Sequence, residues 1–364
     1  MMKLALKEIK YDKKKFLLVE AIMVLMVFMV LFLSGLVNGL GRAVSSAIDN
    51  MEAEYFILSD DSEGIITVSN LDKEVLTKVS EQSSDEVASL NIQRMYINTE
   101  ESSDKIDITY MVMEPDSFLM PNLVEGSTIS NGDSGYQIIL NDSFKENGID
   151  IGSVIRDSST DIQMTVVGFT SDEMYGHTAV GIITPDTYTA IRQALNPQYE
   201  LNYHAVAVKG NDIKDINIDG TELVAKSDII DNIPGYKAEQ MTINMVLWVM
   251  VVISAAILGV FFFVLTIQKE KQFGILKAIG VSMKELTYNL TSQMLILSLA
   301  GAVIGNGLAF LMAAFLPASM PFYLRVENAC VITIVFILIS IISSLFSTVK
   351  VAKVDPLTSI GGNA

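Results

Sequence analysis

Four stretches of this chain are too long and too apolar for the core of an ordinary soluble domain, and they decide what it can fold into. They cover residues 16–37, 244–267, 286–316 and 329–349. Each reaches the ~20 residues a helix needs to cross ~30 Å of hydrocarbon. Lipid offers backbone groups no hydrogen-bond partner, so only helices and closed barrels cross it, and continuous runs of this length specify helices. The third run exceeds one crossing, which predicts tilt or a broken outer end. Its Gly301, Gly305 and Gly307 favour close helix contact. The first run follows a lysine-rich stretch, as a cleaved signal would. Its apolar core is longer than the ~7–15 residues of a signal and passes through Gly35, Gly39 and Gly41 without a small-x-small cleavage site, so it is expected to stay as a helix.

The chain is 50% hydrophobic yet carries a formal net charge of -17. The two facts agree because apolar and acidic residues occupy different segments. Residues 43–235 hold 34 acids and 10 bases, while the remainder is net basic. Lys3, Lys7, Lys10 and Lys13 to Lys15 precede the first run; Lys269, Lys271, Lys277 and Lys284 separate the second from the third; Lys350 and Lys353 follow the fourth. Lysines at span ends mark the cytoplasmic side. All three groups then agree: both termini inside, the acidic domain outside, in a plasma membrane. Cys330 is the only cysteine, so the acidic domain has no internal disulfide. At this length it can bury a core without one.

The expected fold class is a membrane α-helical protein, four transmembrane helices with a mixed α+β extracytoplasmic domain between the first and second. The expected boundaries are a cytoplasmic amphipathic segment at 1–15, helices at 16–41, 241–267, 286–316 and 329–349, the outer domain at 42–240, a cytoplasmic coupling loop at 268–285, an outer loop at 317–328 and a tail at 350–364. In the opening segment Leu4, Leu6, Ile9 and Tyr11 alternate with lysines, which suits the inner membrane surface. "GRAVSSAIDNMEAEY" extends the first helix outward. "YFILS", "GIITVS", "KIDITYMVM", "YQIIL", "MTVVGFT", "AVGIIT" and "HAVAVKG" have strand composition, and "GIDIGSVIRDSSTDIQMTVVGFT" predicts two strands around a polar turn. "LDKEVLTKVSE" and "PDTYTAIRQAL" have helical spacing.

Enzymatic signatures are missing: no phosphate-binding G-x-x-x-x-G-K-[ST], no H-E-x-x-H, no G-x-S-x-G. Against that background the helix–domain–three-helix order, "EKQFGILKAIGVSMKEL" and "VAKVDPLTSIGG" resemble the FtsX/MacB-type permeases of ABC transporters over essentially the whole chain. "MKLALKEI", "MVLFLSGLVNGLGR", "MYGHTAV", "YKAEQMTINM", "TIQKEKQFGILKAIG", "MPFYL" and "KVDPLTSIGG" narrow the resemblance to the permeases of Gram-positive heme exporters. It implies a homodimer with two copies of a separate ABC ATPase that carries ATP and Mg. Heme is then the substrate, with no intrinsic cofactor, no catalytic residue and no nucleic acid partner. Lys271, Gly274, Lys277 and Gly280 would face the ATPase, although lysines there also satisfy the inside-positive bias.

Heme iron takes axial Met, His, Tyr or Cys ligands. Met23, Met26 and Met29 share one broad helix face. With the resemblance, Met29 becomes a candidate iron ligand and Met26 a pocket wall, although Met is also plain packing. Tyr236 and Glu239 precede the second span, where an acid beside an apolar segment often marks a substrate path; Glu239 is the second candidate iron ligand. Tyr175, in "MYGH", is placed on a turn that folds over the membrane mouth, ahead of His177. Arg42 would pair a propionate, with snorkelling as the alternative. Phe322 and Tyr323 would wall the pocket or form an aromatic belt. Glu20 is expected to pair with Lys13 to Lys15 or to snorkel inward. Two other readings remain: an efflux permease for antimicrobial peptides or lipids, and an FtsX-like relay that transports nothing.

Overall fold

The computed structural model describes residues 2–99, 104–130, 135–210, 218–317 and 320–352. The terminal "KVDPLTSIGG" lies outside the described residues. The chain forms two compact units, residues 40–241 and residues 1–39 with 242–364.

Helix α1 (Met2–Tyr11) ends one residue before α2 (Lys13–Asp49) begins. The 40–241 unit then alternates strands and short helices: β1 (Tyr55–Ser59), α3 (Lys73–Gln82), β2 (Glu86–Thr99), β3 (Ile106–Val112), β4 (Leu123–Gly126), β5 (Gln137–Asn141), β6 (Val154–Asp157), β7 (Gln163–Thr170), β8 (Met174–Tyr175), β9 (Thr178–Ile183), α4 (Pro185–Leu195), β10 (Ala205–Lys209), β11 (Thr221–Ala225) and α5 (Lys226–Asp231). The strands join one mixed sheet, β11-β1-β10-β2-β3-β9-β5-β7-β4, with β6 bridging β2 and β7 and β8 paired to β9. Pairs β3/β9 and β5/β7 are parallel.

Strand β2 holds this sheet together and had no strand signature of its own. Its residues 86–90 pair with β10, 91–97 with β3 and 97–99 with β6. Polar residues interrupt its apolar pattern, because different stretches of one strand face different neighbours. The reverse occurs at "GIITVS". It has strand composition but forms successive turns, closed by Ile65 N–H to Ser62 and Val68 N–H to Ile65 carbonyls. There Ile66 alone enters the core, 2% exposed. One core packs Val44, Ile48, Phe56, Leu90 and Ile182; a second packs Tyr110, Leu140, Phe169 and Tyr188. Helix α4 starts where the sequence places it: Thr184 caps it, accepting the Thr187 N–H, and Pro185 follows at the first helical position.

The remaining helices are α6 (Tyr236–Gln268), α7 (Glu270–Ala278), α8 (Met283–Phe315) and α9 (Val326–Ala352). Helices α2, α6, α8 and α9 are each long and apolar enough to cross a membrane. A reciprocal box starts α8: the Ser282 hydroxyl accepts the Glu285 N–H and the Glu285 carboxylate accepts the Ser282 N–H. Helices α2 and α8 meet through glycine. A Cβ on Gly301 would stand 3.1 Å from Met23 Cβ, and one on Gly305 would stand 2.8 Å from Val27 Cβ. Gly307 meets nothing within 4 Å and takes no part. Glu20 departs from expectation. Both its carboxylate oxygens are buried without a hydrogen-bond partner, because α2 turns this residue toward α8, where Gly301 leaves room for it.

Candidate functional site

The sequence-derived candidates divide between the two units, and each group has its own geometry. In the 40–241 unit they gather where the end of α2, the 172–178 turn and the first turn of α6 meet. Gly41 lets α6 approach: any Cβ there would collide with the Gln240 carboxamide. The turn is strapped onto α2 by its own backbone, with Gly176 N–H to the Val44 carbonyl and His177 N–H to the Ala43 carbonyl, both 2.9 Å. Gly176 and His177 both have positive φ, 56° and 63°. Glycine takes this conformation freely and histidine does so more readily than most residues. The left-handed pair directs the imidazole outward, where His177 Nε2 lies 3.1 Å from Glu239 Oε2. The side chains are 52% and 29% exposed, so the pair is reachable from solvent.

Tyr175 is not at a mouth. It is 7% exposed and packs in the domain core, because β8 pairs with β9 and turns this ring inward. Burial holds its phenol above the usual tyrosine value. Arg42 is not free for a propionate. Its Nε donates to Asp172 Oδ2 at 2.8 Å, its Nη2 to Asn50 Oδ1 at 2.9 Å, and Nη1 lies 3.3 Å from Asp49 Oδ2. Two aspartates and an asparagine divide its donors between them: Nε and Nη2 converge on one Asp172 oxygen, while Nη1 faces Asp49. Tyr236 is partly buried against the same core as Tyr175, and Lys237 lies 3.6 Å from Asp231.

Next to Arg42, Glu173 is 5% exposed. Its Oε1 accepts from Asn50 Nδ2 at 3.0 Å. Burial pushes its carboxyl up to about 8; the Asn50 hydrogen bond opposes this, Asp172 adds to it and Arg42 opposes it. It borders a cavity of about 450 Å³ that Met51, Met111, Met113 and Met120 also line. Sequence reasoning passed over Asp172 and Glu173, and ranked His177 below Tyr175. No local pattern announces contacts made across 62 or 130 residues.

In the other unit, only one of the three methionines on the α2 face is open. Met23 is fully buried and Met26 is 9% exposed, while Met29 is 45% exposed. Met26 is therefore core packing rather than a pocket surface. Residues 321–323 lie against α2. Tyr323 N–H donates to the Gly35 carbonyl at 2.8 Å, and the Phe322 ring sits 5.3 Å from that of Phe32 over the bare backbone of Gly35. Tyr323 is 39% exposed with Arg325 over its ring. On α7, Phe273 and Gly274 are buried, Phe273 against Leu286 and Leu290. Lys271 is exposed, and Gly280, at φ 96°, turns the chain into α8. The other face of α7 leaves Ile275 and Ile279 52% and 73% exposed among charged residues. Among the described residues no group of three or more His, Cys, Asp or Glu side chains is placed to hold a metal ion.

Four apolar spans, with a large mixed α+β unit between the first and second, define a membrane-embedded permease architecture. Comparison with known proteins supplies the family. Residues 17–218 match the MacB-like periplasmic core domain and residues 244–356 the FtsX-like permease C-terminal domain. Two curated relatives are both named "Putative hemin transport system permease protein HrtB". The one from Staphylococcus haemolyticus (strain JCSC1435) is 30% identical, and the one from Staphylococcus epidermidis (strain ATCC 12228 / FDA PCI 1200) is 32% identical, each over 99% of both chains. The solved extracellular domain of the Gram-positive transporter YknZ covers 47% of this chain and 98% of its own at 13% identity, with a TM-score of 0.34. The chain belongs to the MacB/FtsX-type family of ABC transporter permeases. It is a permease subunit and not itself an enzyme, it sits in a membrane with a large extracellular domain, and as an ABC permease it works with an ATPase partner.

Proposed function

We propose that this chain is the permease of an ATP-driven heme exporter, working as a homodimer with two copies of its ATPase and protecting the cell from heme. The observation that carries this reading is the full-length relationship, at 30–32% identity, to proteins named as hemin transport permeases. In this reading both termini are cytoplasmic. Heme enters from the outer leaflet between the first and second spans of the dimer, and leaves outward when ATP binding closes the ATPases.

Met29 and Glu239 are the proposed iron ligands, with Tyr236 beside the ring and Phe322 and Tyr323 along the wall. The exposure of Met29, in contrast to Met23 and Met26, supports its role, since a thioether must reach the iron to ligate it. His177 joins the site as the group that holds the Glu239 carboxylate. Tyr175 and Arg42 leave it for the reasons above. Lys271, Lys277 and Gly280 belong to the proposed ATPase-facing surface, whereas Gly274 leaves it because it is buried with Phe273 on the inner face of α7. The exposed Ile275 and Ile279 support that assignment, because an apolar pair among charges suits a protein partner. Hemin added to purified wild type and to the Met29→Ala, Tyr236→Ala and Glu239→Ala variants tests the site. Unchanged Soret bands in all three would remove it, and normal hemin tolerance in a deletion strain would remove the function.

A further inference from the structure

A single residue, Lys269, joins α6 to α7. It stands at the α7 N-cap position but makes no side-chain cap there. Its side chain turns instead into a buried polar ring. Lys269 Nζ donates to Glu8 Oε2 and to Gln293 Oε1, both at 2.7 Å. Gln293 Nε2 donates to Glu8 Oε2 at 2.7 Å, and Asn289 Nδ2 donates to Glu8 Oε1 at 3.1 Å. Phe16, at the start of α2, lies 5.3 Å under the ammonium. Gln293 is fully buried, and Asn289 and Lys269 are 2% and 8% exposed. Burial pushes the Glu8 carboxyl up, but Lys269, Asn289 and Gln293 together outweigh it and hold it below the usual carboxylate range.

The four groups come from four places: α1, the α6–α7 joint and two successive turns of α8. The Lys269 side chain is 10% exposed and that of Glu8 28%, so opening the pair returns Glu8 to water but strands the ammonium of Lys269 in a largely buried site, and the pair resists separation for that reason. A surface pair would give way, screened and replaced by water. Any displacement of α7 must move Lys269, and Lys269 is held on α1 and α8 at once.

We propose that Glu8 and Lys269 are positioning residues of the transport cycle: they lock α1 to the α6–α7 joint, so that a displacement of α7 reaches α1, α2 and α8 together. This rests on the reading of residues 270–280 as the ATPase-facing segment. The alternative is a static staple that only aids folding.

The test uses the full permease–ATPase complex in lipid vesicles, carrying Glu8→Gln, Lys269→Met, Lys269→Arg or the double swap Glu8→Lys/Lys269→Glu. Hemin exported per ATP hydrolysed should fall by roughly tenfold in Glu8→Gln and Lys269→Met, a size typical of coupling between sites, while the complex still assembles. Lys269→Arg or the double swap should restore it. In a Cys330→Ser background, nitroxide labels at Lys10→Cys and Gln272→Cys should keep one narrow distance with and without a non-hydrolysable ATP analogue. Lys269→Met should make that distance broad and nucleotide-dependent. Single variants that assemble with an unchanged export ratio, or a label distance unaffected by Lys269→Met, overturn the lock. If wild type hydrolyses ATP without moving hemin, the proposed function fails instead, and the label distances still decide the lock.

Discussion

Glu173 gives the outer unit a pH dependence whose sign and size follow from its surroundings. The carboxyl is 5% exposed, and burial raises its folded-state pKa from the ordinary glutamate value of 4.5 to about 8. For an acid whose folded pKa is raised, the folded state holds its proton longer than the unfolded state. Stability is therefore lost as pH climbs from about 4.5 toward 8, the opposite of a salt-bridged carboxylate. One pKa unit corresponds to ~1.4 kcal/mol, so the full penalty approaches about 5 kcal/mol, and about 3 kcal/mol of it accrues between pH 5 and pH 7.5. Glu173→Gln removes the titration and keeps an oxygen for Asn50 Nδ2. It should match wild type near pH 5, then become progressively more stable than wild type toward pH 8. The chain's one tryptophan, Trp248, is in α6, so fluorescence does not report the outer unit. Amide hydrogen exchange of peptides from residues 163–183, corrected for intrinsic rates, does. Repulsion among the other acids also weakens the domain at high pH, but equally in both proteins, so the difference isolates Glu173. Parallel pH profiles for wild type and variant would refute the reasoning.

Gly305→Leu should separate α2 from α8 and cost about 1–3 kcal/mol by overpacking, since even a Cβ would lie 2.8 Å from Val27. Gly307→Ala, with open space around it, should be close to neutral in the same melting assay, and equal losses would contradict the packing. Glu20→Met removes a carboxylate with two unsatisfied buried oxygens at little change in volume. The variant should be more stable by about 1–3 kcal/mol, the desolvation cost of an unsatisfied buried polar group, and melt at a higher temperature in detergent; a drop would mean that the carboxylate has a structural role.

The membrane architecture was legible because it depends on composition over ~20 residues, where one misplaced side chain changes nothing. Short elements with matching local signals were legible too, such as α4 with Thr184 and Pro185. Long-range pairing was not. β2 is a strand because β10, β3 and β6 each claim a part of it, whereas "GIITVS" has β-branched residues but finds no strand partner. The same limit governed the site. Met29, Glu239 and Tyr236 were nominated by resemblance and by position near span ends, and Met29 is the exposed methionine of its trio. Tyr175 was nominated by its place in the "MYGH" turn and Arg42 by its place at the outer end of the first helix. Their surroundings decided otherwise: a two-residue strand turns Tyr175 inward, and Asp172, 130 residues away, captures Arg42.

The contact of His177 with Glu239 was hidden from the sequence for the same reason, and its consequence can be measured. A histidine on a loop is usually structural, and a free one would compete for iron. Here the backbone strap to Ala43 and Val44 fixes where the ring goes, and it reaches Glu239. If Glu239 ligates iron, His177 acts through it, by holding one carboxylate oxygen so that the other is presented. His177→Ala should then leave a hemin-dependent Soret band, shifted and weakened roughly tenfold in affinity. Removing one hydrogen bond to a charged group costs about 1.5–3 kcal/mol at most. Loss of the band altogether would make His177 itself the ligand. No change in either affinity or spectrum would mean that Glu239 is not at the iron, because a ligand cannot lose a side-chain hydrogen bond made at 3.1 Å without its electronics changing.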